Sequence, residues 1–188
     1  MIAKGHMALA SIPALLIIDN YFIDSDFGFY LEDKESLLYI LIFYFSTIFG
    51  SILPDIDESE SYIGKRFYAF SIVISSILKH RTFTHYLLLP VIIFFMSFFI
   101  VNPYMKIFIY GLSLGIVMHD IGDMLTKGGI NGFFFPFFPN TKIAILPKQL
   151  RFYTNSITEY IVIVFLVLIN FLILFTIAKE AIVGGVIL

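Results

Sequence analysis

From Tyr160 to Ala178 the chain runs nineteen residues without a charge, and only Asn170 and Thr176 interrupt the series of apolar and aromatic side chains. Strands rarely exceed ten residues, and a soluble helix buries one stripe rather than its whole perimeter. A hydrocarbon core ~30 Å thick is crossed by roughly 20 helical residues, so residues 157–178 read as a membrane-spanning helix. Composition agrees: 59% of the 188 residues are hydrophobic and 14% are charged, too few charges to cover a soluble domain of this size.

Four further segments come near spanning length. Residues 7–23 are interrupted by Pro13 and made polar by Asp19 and Asn20; residues 36–53 stop at Pro54. Residues 86–101 end at Asn102-Pro103, and residues 105–125 carry His119 and Asp123 in their last turns. In residues 62–79, serines and lysines break up the apolar positions, as in an amphipathic helix lying in the interface. The expected fold is all-α: a single domain over residues 1–188, an integral membrane bundle of about five transmembrane helices plus one interfacial amphipathic helix. The stretch "KGGINGFFFPFFPN" opens on glycines and continues into a Phe/Pro run that resists regular helix. Its phenylalanines read as interface anchors rather than substrate contacts. The apolar run after Lys4 is followed by "DNYFIDSD" rather than a small-x-small cleavage site, so the N-terminal segment is expected to be retained.

With five spans, one side of the membrane receives Lys4, Lys65, Arg66, Lys79, Arg81, Lys127, Lys142, Lys148 and Arg151, and the other only Lys34, Lys106 and Lys179. That asymmetry places the N-terminus and the two long loops in the cytoplasm.

The polar groups share that basic side. His6 precedes the first span, His80 and His85 precede the third, and His119 lies near the exit of the fourth. Asp55 and Asp57 in "LPDID", Asp123 and Glu159 join them. His119 and Asp123, four apart on a helix, project from one face. A loop capped by Thr82 or Thr84 would bring His80 and His85 together. Each residue alone has an ordinary reading: a hydrogen-bonded core histidine, a solvated helix end, a positive-inside arginine, an acid complementing a helix dipole. Those readings do not explain why all four histidines meet three acidic motifs at one face. Ionisable groups at membrane depth are functional candidates.

The chain has no cysteine, which excludes thiolate ligation and thiolate catalysis. Imidazoles and carboxylates without thiols are the ligand set of a hydrolytic centre, with Zn or Mn the expected divalent ions. His6, Asp55, Asp57, His80, His85, His119, Asp123 and Glu159 are the candidate ligands, more than one tetrahedral ion needs. Clustered ions clamp a displacement at phosphorus, and Lys65, Arg66, Lys79 and Arg81 can pair with phosphate oxygens.

"GH" at Gly5-His6, "LPDID" at 53–57, "GKR" at 64–66, "HRTFTH" at 80–85, "HDIGDMLTKGGI" at 119–130 and "SITE" at 156–159 together resemble the YdjM-type inner-membrane proteins. That family is assigned as metal-dependent hydrolases, some under LexA control. A looser similarity runs to the zinc-dependent phospholipase C and single-strand nuclease superfamily. It implies His6, Asp55, His80, His85, His119, Asp123 and Glu159 as ligands, Arg81 as a substrate contact, and Asp57 as ligand or general base. Asp57, Arg81 and Glu159 are the expected catalytic residues. The phospholipase group carries a His one turn before its late Glu; Asn155 stands there in this chain, which favours two ions over three. Departures from the inner-membrane family's usual pattern are Glu58, Thr82 and Tyr86.

The resulting expectation is a metal-dependent hydrolase of the bacterial inner membrane. It cleaves a phosphoester of a lipid or lipid-linked substrate at the cytoplasmic edge of the bilayer, and no nucleic-acid partner is expected. The alternatives are a metal or proton transporter, whose site would sit nearer the midplane on broken helices, and a non-catalytic membrane protein with a structural metal.

Overall fold

A computed structural model describes residues 1–20, 34–77 and 83–183, with side chains through residue 179. Lys79, His80, Arg81 and Thr82 therefore lie outside the described residues. The described residues form seven α-helices: α1 (Ala3–Ile18), α2 (Lys34–Gly50), α3 (Tyr62–Arg66), α4 (Tyr68–Ile77), α5 (Leu88–Met96), α6 (Pro103–Met124) and α7 (Ile157–Val183). A two-stranded antiparallel hairpin, β1 (Ile130–Asn131) with β2 (Lys142–Ile143), lies between α6 and α7. The expected all-α class is observed, with that hairpin as the departure.

The span count differs. Among the described residues, α6 and residues 157–179 of α7 are long and apolar enough to cross a membrane, two helices rather than the expected five. The shortfall is geometric. At 1.5 Å per residue, the 16 residues of α1 and 17 of α2 reach about 25 Å, short of the ~30 Å core. The expected third span breaks after nine residues of α5 into a 3-10 turn, Ser97–Phe99. The expected interfacial helix is likewise divided, α3 and α4 meeting at Phe67. On α4, Phe70, Val73 and Ile77 face outward while Ser71 is buried.

The seam of the bundle is α2 against α6, and small residues make it. A Cβ on Gly111 would collide with the Ser46 hydroxyl, one on Gly115 with the Thr47 carbonyl, and one on Gly50 with the Leu112 carbonyl. Glycine at these positions lets the two backbones touch, the packing that membrane helices use where lipid removes the hydrophobic driving force. α1 packs on this pair through Ala14 and Ile18 against Phe43. Ser113 on α6 donates to the Pro90 carbonyl of α5 at 2.9 Å. The side-chain amide of Asn170 on α7 donates to the Ala8 carbonyl of α1 at 2.8 Å. Asn102 caps α6, accepting from the Met105 amide at 3.1 Å, with Pro103 in the first turn. By these contacts α2 and α6 arrive at one end of the bundle, and α1 and α7 leave from it.

Candidate metal centre

At that end, the α2–α6 seam delivers the first ligand. His119 Nδ1 lies 2.7 Å from the carbonyl oxygen of Ser51, one residue past α2. A carbonyl only accepts, so Nδ1 carries the proton and the Nε2 lone pair points inward. The chain then turns through the 3-10 segment Leu53–Asp57, which Pro54 starts. The Ser61 hydroxyl pins this turn by donating to the Asp55 carbonyl at 2.7 Å while accepting from the Gly64 amide at 2.9 Å.

Asp57 meets the second histidine indirectly. The Thr84 hydroxyl donates to Asp57 Oδ2 at 2.6 Å, and Thr84 Oγ1 itself lies 2.9 Å from His85 Nδ1. With its proton committed to the carboxylate, Thr84 Oγ1 accepts from His85 Nδ1–H. That leaves the Nε2 of His85 as a lone pair as well.

The two Nε2 atoms face each other 3.2 Å apart. Two lone pairs at that distance repel unless a proton or a cation lies between them. Nitrogens each ~2.05 Å from a tetrahedral zinc are separated by about 3.3 Å, so the spacing suits a shared ion. Carboxylates complete the set: Asp123 Oδ2 lies 3.7 Å from His85 Nε2, and Asp55 Oδ1 lies 3.6 Å from His119 Nε2. Donor atoms thus gather in two groups that share His119, one with His6 and Asp55, the other with His85 and Asp123.

His6, from the first turns of α1, stacks on His119 with ring centroids 3.8 Å apart and planes 10° from parallel. Gly122 makes room for it, since a Cβ there would stand 2.8 Å from His6 Nδ1. His6 Nε2 is 3.4 Å from Asp123 Oδ1, and neither ring nitrogen has a hydrogen-bond partner among the described residues. A buried imidazole without hydrogen bonds is costly. Burial, reinforced by the neighbouring His119 ring, pushes the His6 pKa well below its ordinary value. His6 lies outside both candidate spanning helices, and this shift favours the neutral imidazole, the form that binds metals. The amino group of Met1 also donates to Asp123.

Two expected ligands stand outside both donor groups. Asp57 accepts from Thr84, and its Oδ2 is 3.8 Å from His85 Nδ1. Glu159, fully buried, accepts from the Ile2 amide at 2.7 Å and from the Asn155 amide. Asn155 adopts a left-handed conformation (φ 63°) that aims its N–H at Glu159. These two carboxylates hold the scaffold around the rings. His80 and Arg81 fall in residues outside the description.

Three nearby residues, Ser51, Gly122 and Asp120, were not singled out from the sequence, and Thr84 was named there only as a helix cap. Ser51 orients His119 through its main chain, which a residue type cannot reveal. Thr84 adjoins His85 in "FTH", a signal open to that reading. Gly122 lies three residues from His119, on the same helical face. Asp120, next to His119, is fully buried, and neither carboxylate oxygen has a hydrogen-bond partner among the described residues.

Comparison with known proteins places this chain in a family. The chain is 37% identical over 114 residues to the uncharacterized protein YvsG of Bacillus subtilis, covering 61% of this chain and 66% of that one. It is 35% identical over 89 residues to the inner membrane protein YdjM of Escherichia coli, 45% of each chain, and equally to that of Shigella flexneri. The matched regions therefore span less than two thirds of these relatives' lengths. No solved structure matches the chain. The profile of the YdjM inner membrane proteins matches residues 1–183, from His6 through the whole of α7. The chain thus belongs to the YdjM inner membrane protein family.

Proposed function

We infer that the chain is a membrane-embedded, metal-dependent hydrolase acting on a phosphoester of a lipid or lipid-linked substrate. The observation that carries this reading is the pair of His85 and His119 Nε2 atoms 3.2 Å apart, with Asp55 and Asp123 oxygens at 3.6 and 3.7 Å. Hydrogen bonds to Ser51 and Thr84 turn both lone pairs toward one point. A divalent cation held there lowers the pKa of bound water and neutralises charge on a phosphoryl group. The His6–Asp55–His119 group shares His119 with the first, so a second of the two proposed ions would rest on His6 and Asp55.

Access supports an enzyme over a closed structural site. His6, His85, His119 and Asp123 are buried, whereas the Asp55 side chain is 20% exposed. Asp55 also lines a cavity of about 420 Å³ with Lys4, Glu58, Glu60, Ser61, Tyr62 and Tyr160, Glu60 being ion-paired with Lys65 at 3.2 Å. Substrate entering this cavity reaches His119 through Asp55, and Lys4 supplies a charge for a phosphate oxygen. The cavity lies where α1 and α7 begin and α2 has just ended, the depth of lipid headgroups for helices that cross a bilayer.

Elemental analysis of the purified protein should find about two zinc or manganese ions per chain, falling by one or more in His85→Ala and in His119→Ala. The metal-loaded protein should hydrolyse phospholipids or polyprenyl phosphates. Full metal retention in both variants would remove the centre. Cleavage of soluble diesters with lipids untouched would remove the lipid substrate, and metal without turnover would leave a structural staple.

A further inference from the structure

Between Met124 and Thr158 the chain carries no acidic residue, yet it holds Lys127, Lys142, Lys148 and Arg151. The fold gathers all four around one hollow of about 440 Å³. Main-chain and ring contacts fix three of them. The Lys142 ammonium donates to the Lys127 carbonyl at 3.3 Å, Arg151 Nε donates to the Leu146 carbonyl at 2.7 Å, and the Lys127 ammonium sits 4.0 Å from the centre of the Tyr153 ring. Among the described residues no carboxylate is within ion-pair distance of any of them. Four like charges converging without counter-ions repel one another and call for an anion.

Position selects which anion. Lys127 comes three residues after α6 ends and Arg151 six before α7 begins, so the hollow lies where two membrane-crossing helices meet the surface. The β1–β2 hairpin projects from the same loop, and its tip exposes Phe137 (81%) and Phe138 (61%). Exposed phenylalanines beside unpaired cations match the boundary between acyl chains and anionic headgroups.

We propose that Lys127, Lys142, Lys148 and Arg151 form a docking cradle for the phosphate headgroup of an anionic phospholipid, distinct from the imidazole cluster. Arg151 keeps its terminal guanidinium nitrogens for phosphate oxygens, since the Leu146 contact uses only Nε. The cradle holds the loop against the leaflet and shares no residue with the candidate metal centre.

Full-length protein in neutral detergent, titrated separately with phosphatidylglycerol and phosphatidylcholine and followed by native mass spectrometry, tests this. At low salt phosphatidylglycerol should bind more than about tenfold tighter, because each cation near an anionic surface contributes roughly fivefold. Raising salt from about 0.05 to 0.5 M should erode that preference. The triple variant K127Q/K142Q/K148Q should lose most of it while keeping wild-type helical content and metal content. Equal binding of the two lipids, a preference indifferent to salt, or full retention in a folded triple variant would each overturn the cradle. Displacement of phosphatidylglycerol by millimolar inorganic phosphate would show a free-anion site and overturn the lipid assignment. The salt titration needs no variant, so a misfolded triple mutant leaves the idea testable.

Discussion

Helices α6 and α7 both pass the length and apolarity test for crossing a membrane, but they are built differently. Half of the most apolar 18-residue window of α6 is buried inside the protein, against 6% for α7. α6 owes this to Gly111, Gly115 and Gly122, which admit the backbone of α2 and the His6 ring. α7 presents Ile161, Val164, Phe165, Leu168, Phe171 and Leu172 outward, with no glycine between Tyr160 and Ala178. Hydropathy alone treats the two alike. Residue size separates the helix that carries polar chemistry from the helix that faces lipid.

The contrast is most sharply tested at the seam. Gly115→Leu drives a side chain into the Thr47 carbonyl and the Gly50 backbone and should destabilise the fold by about 3 kcal/mol, or prevent assembly. Phe171→Leu, on the exposed face of α7, should cost under about 1 kcal/mol. Unfolding in graded sodium dodecyl sulfate, followed by helical ellipticity, measures both. Comparable losses would mean that α7 is packed as tightly as α6, and the division would fail.

A smaller effect should arise where the 3-10 turn Phe83–His85, just before α5, hands its histidine to the site. Thr84→Val removes the hydroxyl that joins Asp57 to His85 Nδ1. Orienting partners of this kind are worth about 10–100-fold in metal affinity, while Thr84→Ser should stay close to wild type. Competition against a chromogenic chelator gives the constants. Wild-type affinity in the valine variant would show that packing alone orients His85, and that the hydroxyl does not set its tautomer.

Much of the site was legible because its residues are rare in apolar surroundings. Four histidines at one end of the predicted spans, with carboxylates beside them, pointed to the end where His6, His85 and His119 are found together. The length of the helices was less legible. Hydropathy extends a segment until a charge or proline stops it, whereas α5 gives way to a 3-10 turn at Ser97 without either. The separation of roles among the carboxylates was hidden too. Asp55 and Asp57 look equivalent in "LPDID", but the 3-10 turn places Asp55 at the cavity and Asp57 against Thr84. Two residues apart in an extended chain they would point the same way, but a turn of three residues per repeat does not hold that relation.

The smallest expected effect lies on α7 itself, at a mid-helix polar tie to α1. Asn170 donates from the same amide nitrogen to Ala8 and to Leu166, each at 2.8 Å. Its Oδ1 is buried without a hydrogen-bond partner among the described residues. Leucine at this position forfeits one interhelical hydrogen bond and also removes an unsatisfied acceptor, so the two consequences oppose each other. Hydrogen bonds between membrane helices average about 0.6 kcal/mol, and Asn170→Leu should cost no more than that in the same detergent titration. A loss above about 2 kcal/mol would mean that α7 is held by polar contacts as firmly as α6 is held by its glycines. The lipid-facing helix would then be part of the scaffold that positions Glu159 and the start of α1.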